Sequence, residues 1–144
     1  MKIFIIGGGA TGSVIAHFLS QAKEIEAIFC GDINPKKAKQ FLPVHPKITL
    51  QALDAFQKNK LITAIKGFDI VINSSNSSSP GLNITIMEAC FEAGVHYHDL
   101  ASDWSETKVE QLEFNEKFKE KNLVGLINAS ASPGVTNLMA KMLS

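Results

Sequence analysis

Short apolar runs rich in β-branched and aromatic residues alternate along this chain with longer segments whose apolar positions recur at helical spacing. The runs Lys2 to Ile6 (KIFII), Glu26 to Cys30 (EAIFC), Lys47 to Leu50 (KITL), Asp69 to Asn73 (DIVIN), Val95 to Asp99 (VHYHD) and Leu123 to Asn128 (LVGLIN) read as six strands. Helices are expected between them at about Ala10 to Ala22, Pro35 to Leu42, Asp54 to Lys66, Leu82 to Ala93, Asp103 to Lys121 and from Thr136 onward. Pro35 behind Asn34 suits a first helical turn behind its cap, and Gly94 suits a helix stop. This alternation predicts an α/β fold, a doubly wound, mostly parallel six-stranded sheet with helices on both faces. The segment Asp103 to Lys121 is largely charged around Trp104, Val109, Leu112 and Phe118, which predicts a surface helix resting on one apolar stripe.

Composition narrows the class. The chain has 144 residues, 45% of them hydrophobic and 19% charged, with zero formal net charge. That suffices for one self-contained core and is too apolar for a disordered chain. Cys30 and Cys90 sit in apolar runs (IFCG and EACF), as reduced core thiols do. The first apolar run meets a glycine cluster far short of a signal segment or a membrane span, so a cytoplasmic protein without a membrane partner is expected. All fourteen basic residues are lysine. Without arginine the chain lacks bidentate readout of guanine and fork-type clamping of phosphate, and no nucleic-acid partner is expected.

The candidate chemistry lies in the first strand-to-helix turn, where Gly7, Gly8, Gly9, Ala10, Thr11 and Gly12 fit G-x-G-x-x-G. Gly7 permits a sharp turn, Gly9 removes a side chain that would block a diphosphate, and Gly12 lets the helix pack closely. The diphosphate would then meet free amides and the positive end of a helix dipole. Asp32 follows twenty residues after Gly12, at the spacing from which a carboxylate accepts both ribose hydroxyls of an adenosine. It repels a 2′-phosphate, so NAD is the expected cofactor, with Lys36 and Lys37 leaving NADP open as the alternative.

The polar stretch Asn73 to Pro80 leaves the carboxyl end of the fourth strand, where open α/β sheets bind ligands. Ser74, Ser75 and Asn76 are therefore expected to reach diphosphate and ribose oxygens, or else to cap the next helix. Asp54 has two readings: reaching the adenine amino group, or capping the helix that follows it. His96 and His98 share one face of a strand, but no third metal ligand stands at a defined spacing, so no metal is expected. Asp99 ends that strand on the ligand side and is expected to face nicotinamide or substrate. No G-x-S-x-G elbow or P-loop lysine is present, which excludes the corresponding hydrolase and phosphoryl-transfer chemistries.

Three segments, GGGATGSVIAHFL, DIVINSSNSSSPGLNITIMEACFEAGVHYHDLAS and NASASPGVTNLMA, together resemble the cofactor domain of the saccharopine dehydrogenase family. That family includes saccharopine reductases, lysine dehydrogenase relatives and carboxynorspermidine dehydrogenases. The resemblance implies a Rossmann domain holding NAD(P) for hydride transfer at an amine or imine carbon of an amino-acid or polyamine derivative. It places the diphosphate on Gly7, Gly9, Ala10, Thr11 and Gly12, the ribose near Asp32, and the nicotinamide side near Ser74, Ser75 and the end of the Asp99 strand. Ser132 departs from the pattern, since similar saccharopine reductases often carry an acidic residue before the Pro-Gly. No catalytic residue is assigned. Family members continue into a substrate-binding domain, and the segment Thr136 to Ser144 reads as a helix cut in mid-course. The expectation is one dinucleotide-binding domain over residues 1–144, with an amino-acid-like substrate bound by a second domain absent from this chain and self-association left open. A stand-alone nucleotide-sensing module is the alternative, in which binding rather than chemistry is the function.

Overall fold

Four successive residues of strand β1 (Lys2–Ile6), Ile3 to Ile6, are buried, as a strand covered on both faces requires. The computed structural model describes residues 1–75, 81–100, 107–132 and 134–143. After β1 come α1 (Ala10–Gln21), β2 (Ala27–Asp32), α2 (Pro35–Ala38), β3 (Ile48–Ala52), α3 (Lys58–Ile65), β4 (Ile70–Asn73), α4 (Leu82–Ala93), β5 (His96–Asp99), α5 (Thr107–Glu120), β6 (Gly125–Leu126) and α6 (Val135–Met142). The strands form one six-stranded sheet in the order β3-β2-β1-β4-β5-β6, and every pairing is parallel. Strand order reverses between β1 and β4, so the carboxyl ends of these two strands flank the crevice where such sheets bind ligands.

The alternation of β1 builds a core on each side. Ile3 and Ile5 pack with Ala16 of α1, Ile28 and Cys30. Phe4 and Ile6 pack with Leu61 and Ile65 of α3, Ile86 and Cys90 of α4, and Phe114 and Phe118 of α5. Both cysteines are free and buried. Burial, aided by the nearby Asp32 charge, pushes the Cys30 thiol up to about 12, and burial likewise raises that of Cys90. Both thiols are therefore unreactive in the folded protein.

Several boundaries differ from expectation. Helix α3 starts at Lys58 rather than Asp54, because the Asp54 carboxylate accepts from Phe56 N at 3.1 Å and Gln57 Nε2 at 3.0 Å and holds this stretch as a turn. Helix α2 ends early, although Leu42 N still donates to Ala38 O at 3.1 Å. Strand β6 keeps only two of its expected residues; the chain leaves the ladder where Asn128 takes φ +57 and turns its amide toward Asp99. The buried stripe of α5 runs through Gln111, Phe114 and Phe118, while Leu112, expected on the stripe, is exposed. Among the described residues no helix is long and apolar enough to cross a membrane.

Candidate functional site

The glycine loop joins β1 to α1 under the β4 carboxyl end, and its three motif glycines meet different surroundings. Gly7 has φ +94, and a Cβ there would come within 3.1 Å of the Ser74 and Ser75 backbone. At Gly12 a Cβ would lie 1.9 Å from Gly7 O, so only glycine lets α1 close on the loop. At Gly9 a Cβ would meet no atom within 4 Å. The missing side chain therefore leaves open space in front of the helix rather than relieving a packing clash. Gly9 is also the N-cap of α1, which has no side-chain capping bond and no acidic residue in its first turn. The amides of Ala10, Thr11 and Gly12 thus open a helix that no side chain caps, an arrangement suited to an anion.

Two clefts meet at this loop. The first, about 320 Å³, is lined by Gly7, Gly9, Gly31, Asp32, Ile33, Leu53, Asp54, Phe56 and Leu82, among others. Ile33 is 76% exposed and Phe56 52%, so two large apolar side chains stand open at a cleft with a carboxylate at its edge. This suits a flat heteroaromatic base beside a ribose. The second, about 470 Å³, is lined by Thr11, Ile15, Leu100, Ser130 and Ala131. Ser74 and Ser75 line both, so a dinucleotide crossing the loop would pass beneath them. A larger depression of about 520 Å³ lies between α5 and β6. It shares no residue with the glycine loop, and its walls are mainly apolar.

Asp32 closes β2. Its Oδ2 accepts from Gly8 N at 2.8 Å and its Oδ1 from Asn34 N at 2.7 Å, which pins the carboxylate between the glycine loop and the start of α2. Each oxygen keeps a further acceptor site for a ribose hydroxyl. The serines are more committed than expected. The Ser74 hydroxyl donates toward Ile6 O at 3.0 Å and Gly7 O at 2.8 Å, so it braces the loop and offers only acceptor capacity. Ser75 donates through N and Oγ to Asn73 Oδ1. Asn76 lies outside the described residues.

Asp99, expected to face nicotinamide or substrate, is instead fully buried at 0% exposure. Its Oδ2 accepts from Tyr97 Oη at 2.8 Å and Gln111 Nε2 at 2.7 Å, and its Oδ1 from Asn128 N at 2.7 Å. The cause is strand alternation, which turns Tyr97 and Asp99 inward together and leaves His96 and His98 on the opposite face. Burial and the neighbouring Asp99 charge push the Tyr97 phenol well above its ordinary value. Asp54 holds its own turn, not the α3 cap, and still lines the first cleft; its hydrogen bonds from Gln57 and Phe56 lower its pKa. His96 Nδ1 accepts from Val124 N at 3.0 Å, while His98 Nδ1 is buried with no hydrogen-bond partner among the described residues. Among the described residues no group of three potential ligands could hold a metal. Ile33, Leu53 and Phe56 were not singled out by motif; an apolar residue directly after Asp32, in an otherwise polar turn, was the available signal.

Residues 3–126 match the family model described as the saccharopine dehydrogenase NADP binding domain. The chain is 32% identical over 148 residues to carboxyaminopropylagmatine dehydrogenase of Synechocystis sp., covering 95% of this chain and 36% of the relative. It is 30% identical over 167 residues to carboxynorspermidine synthase of Vibrio cholerae, covering 97% and 38%. The chain thus spans less than two fifths of the length of these relatives. In fold it matches apo saccharopine dehydrogenase (L-Glu forming) from Saccharomyces cerevisiae with a TM-score of 0.81 at 12% identity, over 99% of this chain and 30% of that one. The chain belongs to the saccharopine dehydrogenase NADP binding domain family.

Proposed function

We propose that this chain is the dinucleotide-holding part of an oxidoreductase that transfers hydride at an amine or imine carbon of an amino-acid or polyamine derivative. The observation that carries the cofactor half of this reading is the open space at Gly9, at the uncapped start of α1 and between two clefts. Adenosine fits the first cleft, with its ribose at Asp32 and its base between Ile33 and Phe56. The diphosphate lies on the amides of Ala10, Thr11 and Gly12, and the nicotinamide enters the second cleft. When bound, the cofactor supplies the hydride. The chain's own residues bind it, orient it and leave the second cleft open for a substrate. The polyamine half rests on the relatives, one named for dehydrogenation of carboxyaminopropylagmatine and one for synthesis of carboxynorspermidine. Residues that read the substrate belong, on this reading, to a further domain outside the 144 residues.

The family name carries NADP, whereas the carboxylate of Asp32 favours a free 2′-hydroxyl. Calorimetric titration of the chain with NADH and NADPH, repeated after Asp32→Ser, decides between them. Tighter NADH binding that shifts toward NADPH in the variant supports the NAD assignment. Tighter NADPH binding by the unmodified chain overturns that preference. Turnover of carboxyalkylated amines by the full-length protein tests the reaction class, and cofactor binding without any such turnover contradicts it.

A further inference from the structure

A single buried polar chain joins the two walls of the second cleft. On one wall, Asn73 Oδ1 accepts from Ser75 N at 3.1 Å and from Ser75 Oγ, fixing the residue that follows the β4 end. Asn73 is 1% exposed, and its Nδ2 donates to Asn83 Oδ1 at 2.8 Å and, at 3.5 Å, toward Tyr97 Oη. Tyr97, also 1% exposed, passes its proton donor to Asp99 Oδ2. On the other wall, Asp99 takes the Asn128 amide on Oδ1 and the Ala129 amide on its main-chain oxygen at 3.0 Å. Asn128 is held there at φ +57, a left-handed conformation that costs a non-glycine residue free energy and needs compensation. Ser130 and Ala131, which follow Ala129, line the same cleft as Ser75.

The donors that reach the buried Asp99 carboxylate among the described residues, Tyr97 Oη, Gln111 Nε2 and Asn128 N, are all neutral. Such an arrangement is tolerated when every member is satisfied and is costly when one is missing. The network therefore behaves as a unit.

We propose that Tyr97 and Asp99 are positioning residues for the nicotinamide end of the cofactor, setting the spacing between Ser75 and Ser130 without touching the ligand. This inference rests on the dinucleotide reading above. Ser75 lines both clefts and Gly7 lies against its backbone, but among the described residues Asp32, Ile33 and Phe56, on the adenosine side, make no hydrogen bond to the network. Loss of the Tyr97 hydroxyl thus loosens the nicotinamide half more than the adenosine half.

The test compares two ligands on the 144-residue chain. ADP occupies the first cleft and the glycine loop, whereas NADH also fills the second cleft. In Tyr97→Phe, NADH affinity is expected to fall roughly tenfold, the scale of one buried hydrogen bond, while ADP affinity stays within about twofold. A general structural role would weaken both ligands alike, and that result, or no change in either, overturns the proposal. Asn73→Ala cuts the same chain one link earlier and must give the same split, so it serves if Tyr97→Phe fails to fold. Failure of the unmodified chain to bind ADP or NADH would instead sink the dinucleotide reading itself.

Discussion

Gly9 and Gly12 stand three positions apart in one motif, yet the backbone around them makes opposite demands. A Cβ on Gly12 would overlap Gly7 O, and a Cβ on Gly9 would meet nothing. Gly12→Ala is therefore expected to lose about 1–3 kcal/mol of stability, the usual cost of forcing atoms into filled space. Gly9→Ala, by contrast, changes the urea midpoint little. Equal losses in the two variants would show that the glycines merely shape one turn. Residue chemistry also predicts a pH dependence. Burial holds the His98 imidazole below its ordinary value of 6.5, against smaller raising effects of Asp99 and the Ala129 backbone. The unfolded chain then binds a proton more readily than the folded one, so the His98 contribution is intact above pH 6.5 and is lost as pH falls through the lowered value. Thermal melts at pH 7.5 and 5.0 check this: His98→Gln should narrow the drop in Tm between them, and an unchanged drop contradicts the assignment.

Among the elements, packing outweighs surface charge. Leu61 of α3 is fully buried against α4 and the sheet, and Leu61→Ala is expected to cost about 2–5 kcal/mol by denaturant unfolding. Lys58, at the start of the same helix, reaches Glu88 at 2.9 Å and Glu92 at 2.6 Å, but all three side chains are more than a third exposed. Lys58→Met should therefore cost at most about 1 kcal/mol. The order of these two effects is the test, and the reverse order would mean that α3 is held mainly by charge. Elements were legible in the sequence wherever burial had a period. The run KIFII reads as a strand, and it occupies Lys2–Ile6 as expected. Asp54 was harder, because an Asx turn and a helix cap use the same side chain on the same nearby amides. Asp99 was misplaced although the signal existed: the alternation that set His96 and His98 together also sends Tyr97 and Asp99 to the other face, the buried one. The commitment of Ser74 to the Ile6 and Gly7 carbonyls depends on β4 lying beside β1. That neighbour relation belongs to the topology and cannot be read from local sequence.

At the scale of the whole molecule, parallel pairing outward from β1 and β4 makes the site. It brings residues near positions 7, 32, 56 and 75 to one rim of the sheet, each from the carboxyl end of a different strand or the loop beyond it. The second cleft is walled by Thr11, Ser75 and Ser130 in the same way. On the proposed reading a dinucleotide would lie across this rim, with its nicotinamide end in the second cleft, toward whatever supplies the substrate. The central claim is that the open space at Gly9 is where the diphosphate lies, and fluorescence titration with NADH tests it most directly. The account predicts saturable binding by the unmodified chain and its loss in Gly9→Val, with the thermal melt of the variant unchanged. Equal NADH affinity in the two proteins would contradict it.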